Sequence, residues 1–540
     1  MWLDQQAAND FIASKADAEF NKETTPAKED TKEKATAKEG KKKEKKGADA
    51  KKPAVADYKF EGRENRVYRL TPNSSNLVDY YLNNKGDKLY YLTSFEDDAD
   101  LWEYDLKDRV PRIVEKKFGY GALLPDSAGT KLYSIVDGSI KTYDIEKGKT
   151  GNISFNANGE YSASAERKYM LDHCKRLVKE KFYDKNLHGV DWEGYTADYA
   201  RFLPYIDNDR DFAELLSELL GELNVSHTGA GYRHVSSNSE RTATLGLLYD
   251  LGYSGNGLKV AEVITGSPFD KAGTRMVPGS VVTAINGNEI TPATDYARIF
   301  NGLGNKKTLV SLTTPSGEKV DETIRPISTG KQNALLYDRW VRRNEQIVDS
   351  LSNGRLGYVH LESMSDDSYR NVYSNVLGKY NERDGIVIDT RWNGGGRLHE
   401  DIEVLFSGDK YLTQEIQGVV SGQMPSRRWN KPSIMVICEA NYSNAHGTPW
   451  VYKNRGLGKL VGMPVPGTMS SVNWVTMQDP SMYYGIPVVG FKDDNGRYLE
   501  NQQLEPDFKV AQNPADIVRG VDDQLRVAVE RLLIEIDKPR

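Results

Sequence analysis

The hydrophobic periodicity of this 540-residue chain changes from segment to segment, and that change restricts its fold more than any other feature. From Tyr58 to about Phe155, apolar and polar residues alternate in short runs: Lys88–Ser94, Asp100–Asp105, Arg112–Val114, Lys131–Val136 and Ser139–Asp144. A period of two marks half-buried strands, and polar turns separate these five. The period then lengthens. Glu166–Asp184 sets Met170, Leu171, Cys174, Leu177, Val178 and Phe182 on one face, and Asp211–Leu223 does the same with Phe212, Leu215, Leu216, Leu219, Leu220 and Leu223. That spacing predicts two amphipathic helices. Later come short continuous apolar runs, Gly385–Asp389, Ile434–Cys438 and Lys459–Gly462, with a closing amphipathic helix at Asp522–Ile536. These read as buried strands and a helix of an α/β domain. One core does not serve a chain this long, so the expected class is multidomain α+β.

Composition narrows the function classes. The net charge of −6 and the absence of a basic face with interleaved aromatics argue against a nucleic-acid partner. No apolar run reaches the ~18 residues that span a bilayer, so no membrane partner is expected. Met1–Lys15 lacks the apolar core of a signal peptide, and the chain as given is expected not to be exported. Cys174 and Cys438 lie far apart in apolar patterns and read as free core thiols rather than metal ligands; no metal and no cofactor are expected. Glu19–Val55 is almost wholly Lys, Glu, Ala, Asp, Thr and Gly, densest at Lys41–Lys46, and reads as a charged linker unable to form a core.

Within 58–160 the strand cadence repeats at a spacing of ~40 residues, as in β-propeller blades. Two blades do not close a propeller. Either further blades precede Met1 in a longer parent, or this is a small standalone sheet. Residues 243–330 have a different punctuation: Leu245–Gly246–Leu247–Leu248, the strand Leu258–Ile264, Gly266–Gly273 with Ser267 and Pro268, and Pro278–Gly287 followed by Leu309–Leu312. This order resembles a PDZ domain, and the resemblance implies that Leu245, Gly246 and Leu247 hold a peptide carboxylate while the adjacent strand pairs with the peptide.

The run Cys438–Gly447 follows an apolar strand and precedes Thr448–Lys453, which reads as the opening of a helix with Pro449 in its first turn. A tight strand-to-helix turn is where a hydrolase can place a nucleophile, beside free N–H groups. The position expected to carry the hydroxyl is Ala445. Ser443, two residues upstream, is the alternative; in that register it precedes the expected helix by two more residues. Three other elements stand out: Asn224–Gly229 with Ser226 and His227, the glycine cluster Gly394–Gly396 after a strand, and Tyr498–Asp507 with Glu500.

With the PDZ-like module and the blades, these elements resemble the C-terminal half of a tricorn-type serine protease, of the tail-specific protease superfamily, over residues 60–540. Lys181–Trp192 and Leu219–His227 carry the resemblance most closely. It implies a charged linker at 1–57, blades at 58–160, a helical C1 domain at 161–242, the PDZ domain at 243–330 and an α/β C2 catalytic domain at 331–540. It also implies His227 as general base, Ser226 as its neighbour in the relay, Glu500 as the orienting carboxylate, and backbone N–H groups of Gly394 or Gly395 and of His446 as oxyanion donors. His446 stands where most relatives carry Asp. The implied activity is peptide-bond hydrolysis on oligopeptides by a cytoplasmic hexamer, or a periplasmic one if a leader precedes the fragment. On this reading Ala445 marks a chain inactivated by a Ser→Ala change at the nucleophile position, engineered or native; a native alanine makes the chain a PDZ-containing peptide-binding adaptor on a protease fold.

Overall fold

The computed structural model describes residues 60–539, apart from 72–73, 96–97, 234–235 and 237–238, so the expected linker at 1–57 lies outside the described residues. The described residues divide into two compact units, one up to residue 160 and one from 161 on.

The first unit contains two four-stranded antiparallel sheets, each with its strands in sequence order. The expected strands Lys88–Ser94, Lys131–Val136 and Ser139–Asp144 form with those bounds, and Ala99–Asp105 and Val110–Glu115 lie within two residues of expectation. Tyr90, Leu92 and Leu101 of one sheet and Leu132, Val136 and Tyr143 of the other share one buried cluster. Four-stranded meanders are what propeller blades are made of.

In the second unit the two expected helices are Ala163–Lys181 and Asp209–Gly221. Asn208 caps the latter, its side chain accepting from the Asp211 N–H. Its apolar face packs not only on the first helix but on Met477, Met482, Tyr484 and Ile486, more than 250 residues later in the sequence. The reason is a three-stranded sheet in which Gly229–Tyr232 pairs antiparallel with Met482–Gly490, and that strand with Ser470–Thr476. The helical segment expected to end at 242 therefore shares a core with the C-terminal part of the chain.

Residues 243–330 form a six-stranded antiparallel sheet around Leu245, Leu247, Val260, Phe269, Val282, Ile285 and Val310. Ala243–Thr244 pairs with Ile327–Ser328, closing the module where it begins and ends. Leu247–Tyr249 is an edge strand, paired on one side only.

The last part is a five-stranded parallel sheet in the order Leu356–His360, Gly385–Asp389, Ser433–Ile437, Lys459–Gly462 and Phe508–Lys509. The helices Thr329–Leu351 and Asp523–Ile536 pack on one face through Val348, Leu525, Ala528, Val529 and Leu532. The three central strands are apolar between their ends and packed on both faces, which is why they were legible as continuous runs. Among the described residues, no helix is long and apolar enough to cross a membrane.

Candidate functional site

Two loops leave the carboxyl ends of neighbouring parallel strands, where open α/β sheets place their ligands. The first follows Asp389. A buried ion network anchors its base: Arg391 donates to Asp389 through Nε (3.0 Å to Oδ1) and Nη2 (2.6 Å to Oδ2), and through Nη1 to Asp522 at 2.9 Å. Burial alone pushes the Asp389 carboxyl up; the Arg391 guanidinium outweighs it and leaves the acid below the usual carboxylate range. Beyond Arg391 the chain exposes Trp392 in the left-handed region (φ 66°) and runs into Asn393–Gly396. Gly395, at φ 100°, lies so close to the second loop that a Cβ there would stand 2.5 Å from Cβ of Ser443. Only glycine fits.

The second loop follows Ile437 and corrects the expected register. The helix opens at Asn444, not Thr448, and runs to Asn454 with Pro449 inside it. Proline there supplies no N–H to the carbonyl four residues back, that of Ala445. The Asn441 side chain donates to that carbonyl instead, at 3.2 Å, and also to Thr390 Oγ1 at 2.9 Å. The helix therefore continues upstream through the proline that was read as its start.

Ser443 stands at the corner, with φ 58° and ψ −126°, a region that non-glycine residues rarely occupy and that costs of order 1–3 kcal/mol. Its N–H donates to Thr468 Oγ1 at 3.0 Å, and its side chain is half-buried beside a cleft of about 380 Å³ shared with Gly396, Arg397, Asn444, Met469 and Ser470. Ala445, expected to be the nucleophile position, is instead a helical residue with no exposed surface, part of the hydrophobic core with Met364 and Val465. The expected oxyanion donor His446 also moves: its N–H donates to the Ser443 carbonyl at 2.8 Å, and its ring is buried. Gly395 N–H is committed to Asn393 Oδ1 at 2.8 Å. Among the described residues, the N–H groups of Gly394, Gly396 and Asn444 donate to no protein acceptor. The Asn444 side chain is held, its Oδ1 accepting from the Leu398 and His399 N–H groups at 2.8 and 3.1 Å.

His227 reaches this corner from the other side. Its N–H donates to the Tyr442 hydroxyl at 2.6 Å, and the two rings lie 4.7 Å apart. Its Nδ1 is 2.7 Å from Ser226 Oγ, and Ser226 Oγ donates to Glu500 at 3.0 Å. Nδ1 also meets Ser470 Oγ at 3.1 Å, a residue the sequence did not single out. Burial lowers the His227 imidazole to about 4 and pushes the Glu500 carboxyl up, partly offset by hydrogen bonds from Ser226 and Ser470. His227, Ser226 and Glu500 thus come together as expected, across 274 residues of chain between Ser226 and Glu500.

Comparison with known proteins fits this geometry. Residues 163–221 match the family model of the tricorn protease C1 domain, 259–313 that of the PDZ domain, and 355–510 that of peptidase family S41. The chain carries a tricorn-type C1 domain, a PDZ domain and an S41 peptidase domain. It is 24% identical to a "Putative Tricorn-like protease C-terminal subunit" of Sulfurisphaera tokodaii, over 89% of this chain and 58% of that protein. It is 22% identical to the "Tricorn protease" of Thermoplasma acidophilum, over 87% of this chain and 44% of that one. The crystal structure of the tricorn protease superposes with a TM-score of 0.74 at 19% identity, covering 90% of this chain and 49% of that one, a shared fold. The chain therefore spans little more than half, or less, of these longer relatives.

In the PDZ domain, Leu245 and Leu247 are buried, and the Gly246 N–H donates to Thr244 Oγ1 at 3.2 Å. Gly246 has φ 71°, and a Cβ there would stand 2.5 Å from that of Ser267. The three expected peptide-binding residues thus lead into the open edge strand, with the Gly246 N–H already engaged inside the domain.

Proposed function

We propose that this chain is a tricorn-type serine peptidase acting on oligopeptides, with Ser443 as nucleophile and His227 as general base. The single observation that carries the reading is the corner at Ser443. A serine is held there at a strained positive φ, between a parallel strand and a helix, beside a cleft, and the adjoining Tyr442 touches a histidine already tied to a buried carboxylate. A nucleophile elbow has this strand–turn–helix form.

A serine hydroxyl becomes a nucleophile when a base takes its proton. With Nδ1 occupied by serine hydroxyls, Nε2 of His227 is the nitrogen left for that task. Ser226 Oγ accepts from Nδ1–H and passes its own proton's hydrogen bond to Glu500, fixing the tautomer with a lone pair on Nε2. As Ser443 Oγ adds to a peptide carbonyl, His227 takes the proton and later gives it to the leaving amine, and water then hydrolyses the acyl-enzyme. The developing oxyanion is held by the Asn444 N–H, from the residue after the nucleophile, with an uncommitted N–H of Gly394 or Gly396 opposite. Such a donor can contribute ~3–4 kcal/mol. The open edge at Leu247–Tyr249 offers strand addition to a substrate peptide, and homo-oligomerisation remains part of this reading.

Incubation with a fluorophosphonate and peptide mapping tests it. The adduct is expected on Ser443, and Ser443→Ala is expected to abolish both the adduct and hydrolysis of a fluorogenic oligopeptide. Peptide binding without adduct or turnover would support the adaptor reading instead.

A further inference from the structure

We propose that Ser470 is a second positioning residue for His227, sharing Nδ1 with Ser226, so that two serines rather than one hold the imidazole. The proposal rests on the reading of His227 as general base. Ser470 Oγ lies 3.1 Å from His227 Nδ1 and 3.3 Å from Ser226 Oγ, the hydroxyl that donates to Glu500. It is 3% exposed, so little of it meets bulk solvent. The three-stranded sheet sets it there: Ser470 opens the strand paired with Met482–Gly490, and that strand in turn pairs with Gly229–Tyr232, two residues after His227.

Each hydroxyl has one proton and two lone pairs. If the Ser226 proton points at Glu500 and the Ser470 proton at Ser226 Oγ, both serine oxygens present lone pairs to the single Nδ1–H. The proton is then held in a fork. One arm alone lets the ring swing about its Cβ–Cγ bond; two arms from different elements, one on the His227 loop and one on the sheet, hold it against rotation. Ser470 also lines the cleft beside Ser443, so the same residue joins the relay to the wall on which substrate lies. The groups around His227 are Ser226, Ser470, Glu500 and the Tyr442 ring, with His188 contributing to the field at Glu500.

Two serines on one acceptor predict coupling, because removing one leaves the other in place. The experiment uses the full chain and the variants Ser226→Ala, Ser470→Ala, Ser470→Thr and the Ser226→Ala/Ser470→Ala double. The first readout is the rate of fluorophosphonate labelling at Ser443. Each single alanine variant is expected to slow it about tenfold, the scale of one lost hydrogen bond to a charged group, and the double by more than the product of the two. Ser470→Thr, which keeps the hydroxyl, is expected to label faster than Ser470→Ala. The second readout is the 13Cε1 signal of His227, assigned through His227→Gln, whose titration midpoint is expected to move in Ser470→Ala. A wild-type chain that labels normally, with Ser470→Ala matching its parent in rate and titration in both backgrounds, overturns the proposal. A wild-type chain that takes no label overturns the nucleophile assignment instead, while the His227 signal still decides whether Ser470 holds the ring.

Discussion

Ser226 meets Glu500 at two points: its N–H donates to Oε1 at 2.6 Å and its Oγ–H donates to Oε2 at 3.0 Å. Both carboxylate oxygens are therefore acceptors for one residue, and the serine hydroxyl is turned so that its lone pairs face His227. A glutamine in place of Glu500 keeps the shape but has only one acceptor. The Ser226 hydroxyl then turns its proton towards Nδ1, and the His227 proton moves to Nε2, where it blocks the base. Glu500→Gln is expected to lower kcat by about 10³–10⁴-fold, the cost of a histidine held in the wrong tautomer, with KM little changed. Steady-state kinetics on a fluorogenic peptide check this; a kcat within tenfold of the parent would remove Glu500 from the relay.

Asn441 is 1% exposed and joins four groups: it accepts from the Cys438 N–H and thiol, and donates to Thr390 Oγ1 and the Ala445 carbonyl. Asn441→Ala leaves the carbonyl opposite Pro449 buried without a donor, and a stability loss of about 2–3 kcal/mol is expected. Adding Pro449→Ala supplies the missing helical N–H, so the double variant is expected to recover part of the loss. Denaturant unfolding of the three variants decides the matter; no recovery in the double would mean that the Ala445 carbonyl is not the group at fault.

This pair also shows what was and was not legible in the sequence. Gly385–Asp389 and Lys459–Gly462 formed with their expected bounds because their pattern depends only on burial, which residue type records directly. The corner was misread because Pro449 is a helix-start signal by local rules, and the side chain that lets a helix run through it sits eight residues upstream. Once the start moves from Thr448 to Asn444, Ser443 takes the place just before the helix, and the proposed nucleophile with it. Ser470 was invisible for a different reason. Nothing in Thr468–Met469–Ser470–Ser471 marks one serine over the other, and its place beside His227 comes from strand pairing across more than 200 residues. His227 and Glu500 were singled out through resemblance, since a lone His after a helix and a lone Glu in a polar stretch carry little pattern of their own.

Acid is expected to titrate both the proposed activity and stability. Burial holds His227 at about 4, so its Nε2 stays neutral well below the usual histidine range. The acid limb of kcat/KM for the free enzyme is accordingly expected below pH ~6, and it includes the raised carboxyl of Glu500, which loses its acceptor role on protonation. A limb at or above pH ~6.5 would show that the Glu500 charge, transmitted through the two hydroxyls, outweighs burial. For stability the fully buried His446 acts in the same direction, its value also lowered to about 4 by burial. The unfolded chain binds a proton near pH ~6.5 that the native chain refuses. The native state is therefore favoured above that pH and loses stability as pH falls towards 4, by at most on the order of 3 kcal/mol from this group. Denaturation midpoints at pH 7 and pH 5 are expected to differ more in the parent than in His446→Leu.

Ala445→Ser separates the two registers of the corner most directly. If Ala445 were the vacant nucleophile position, a serine there would create activity. In the structure its Cβ has no exposed surface and lies in the core that also contains Met364, Val465 and Ile437. A hydroxyl placed there has little to bond with, and a buried unpaired hydroxyl costs about 1–3 kcal/mol by mutational measures. The expected outcome is a lower unfolding midpoint, no new fluorophosphonate adduct, and labelling that remains on Ser443. The companion variant Ser443→Ala is expected to do the reverse: it removes the adduct and hydrolysis while leaving unfolding within about 1 kcal/mol of the parent, since a half-buried Oγ contributes little to the core. An adduct that appears at position 445, with none at 443, would restore the upstream serine to a bystander and put the catalytic turn two residues further along the helix.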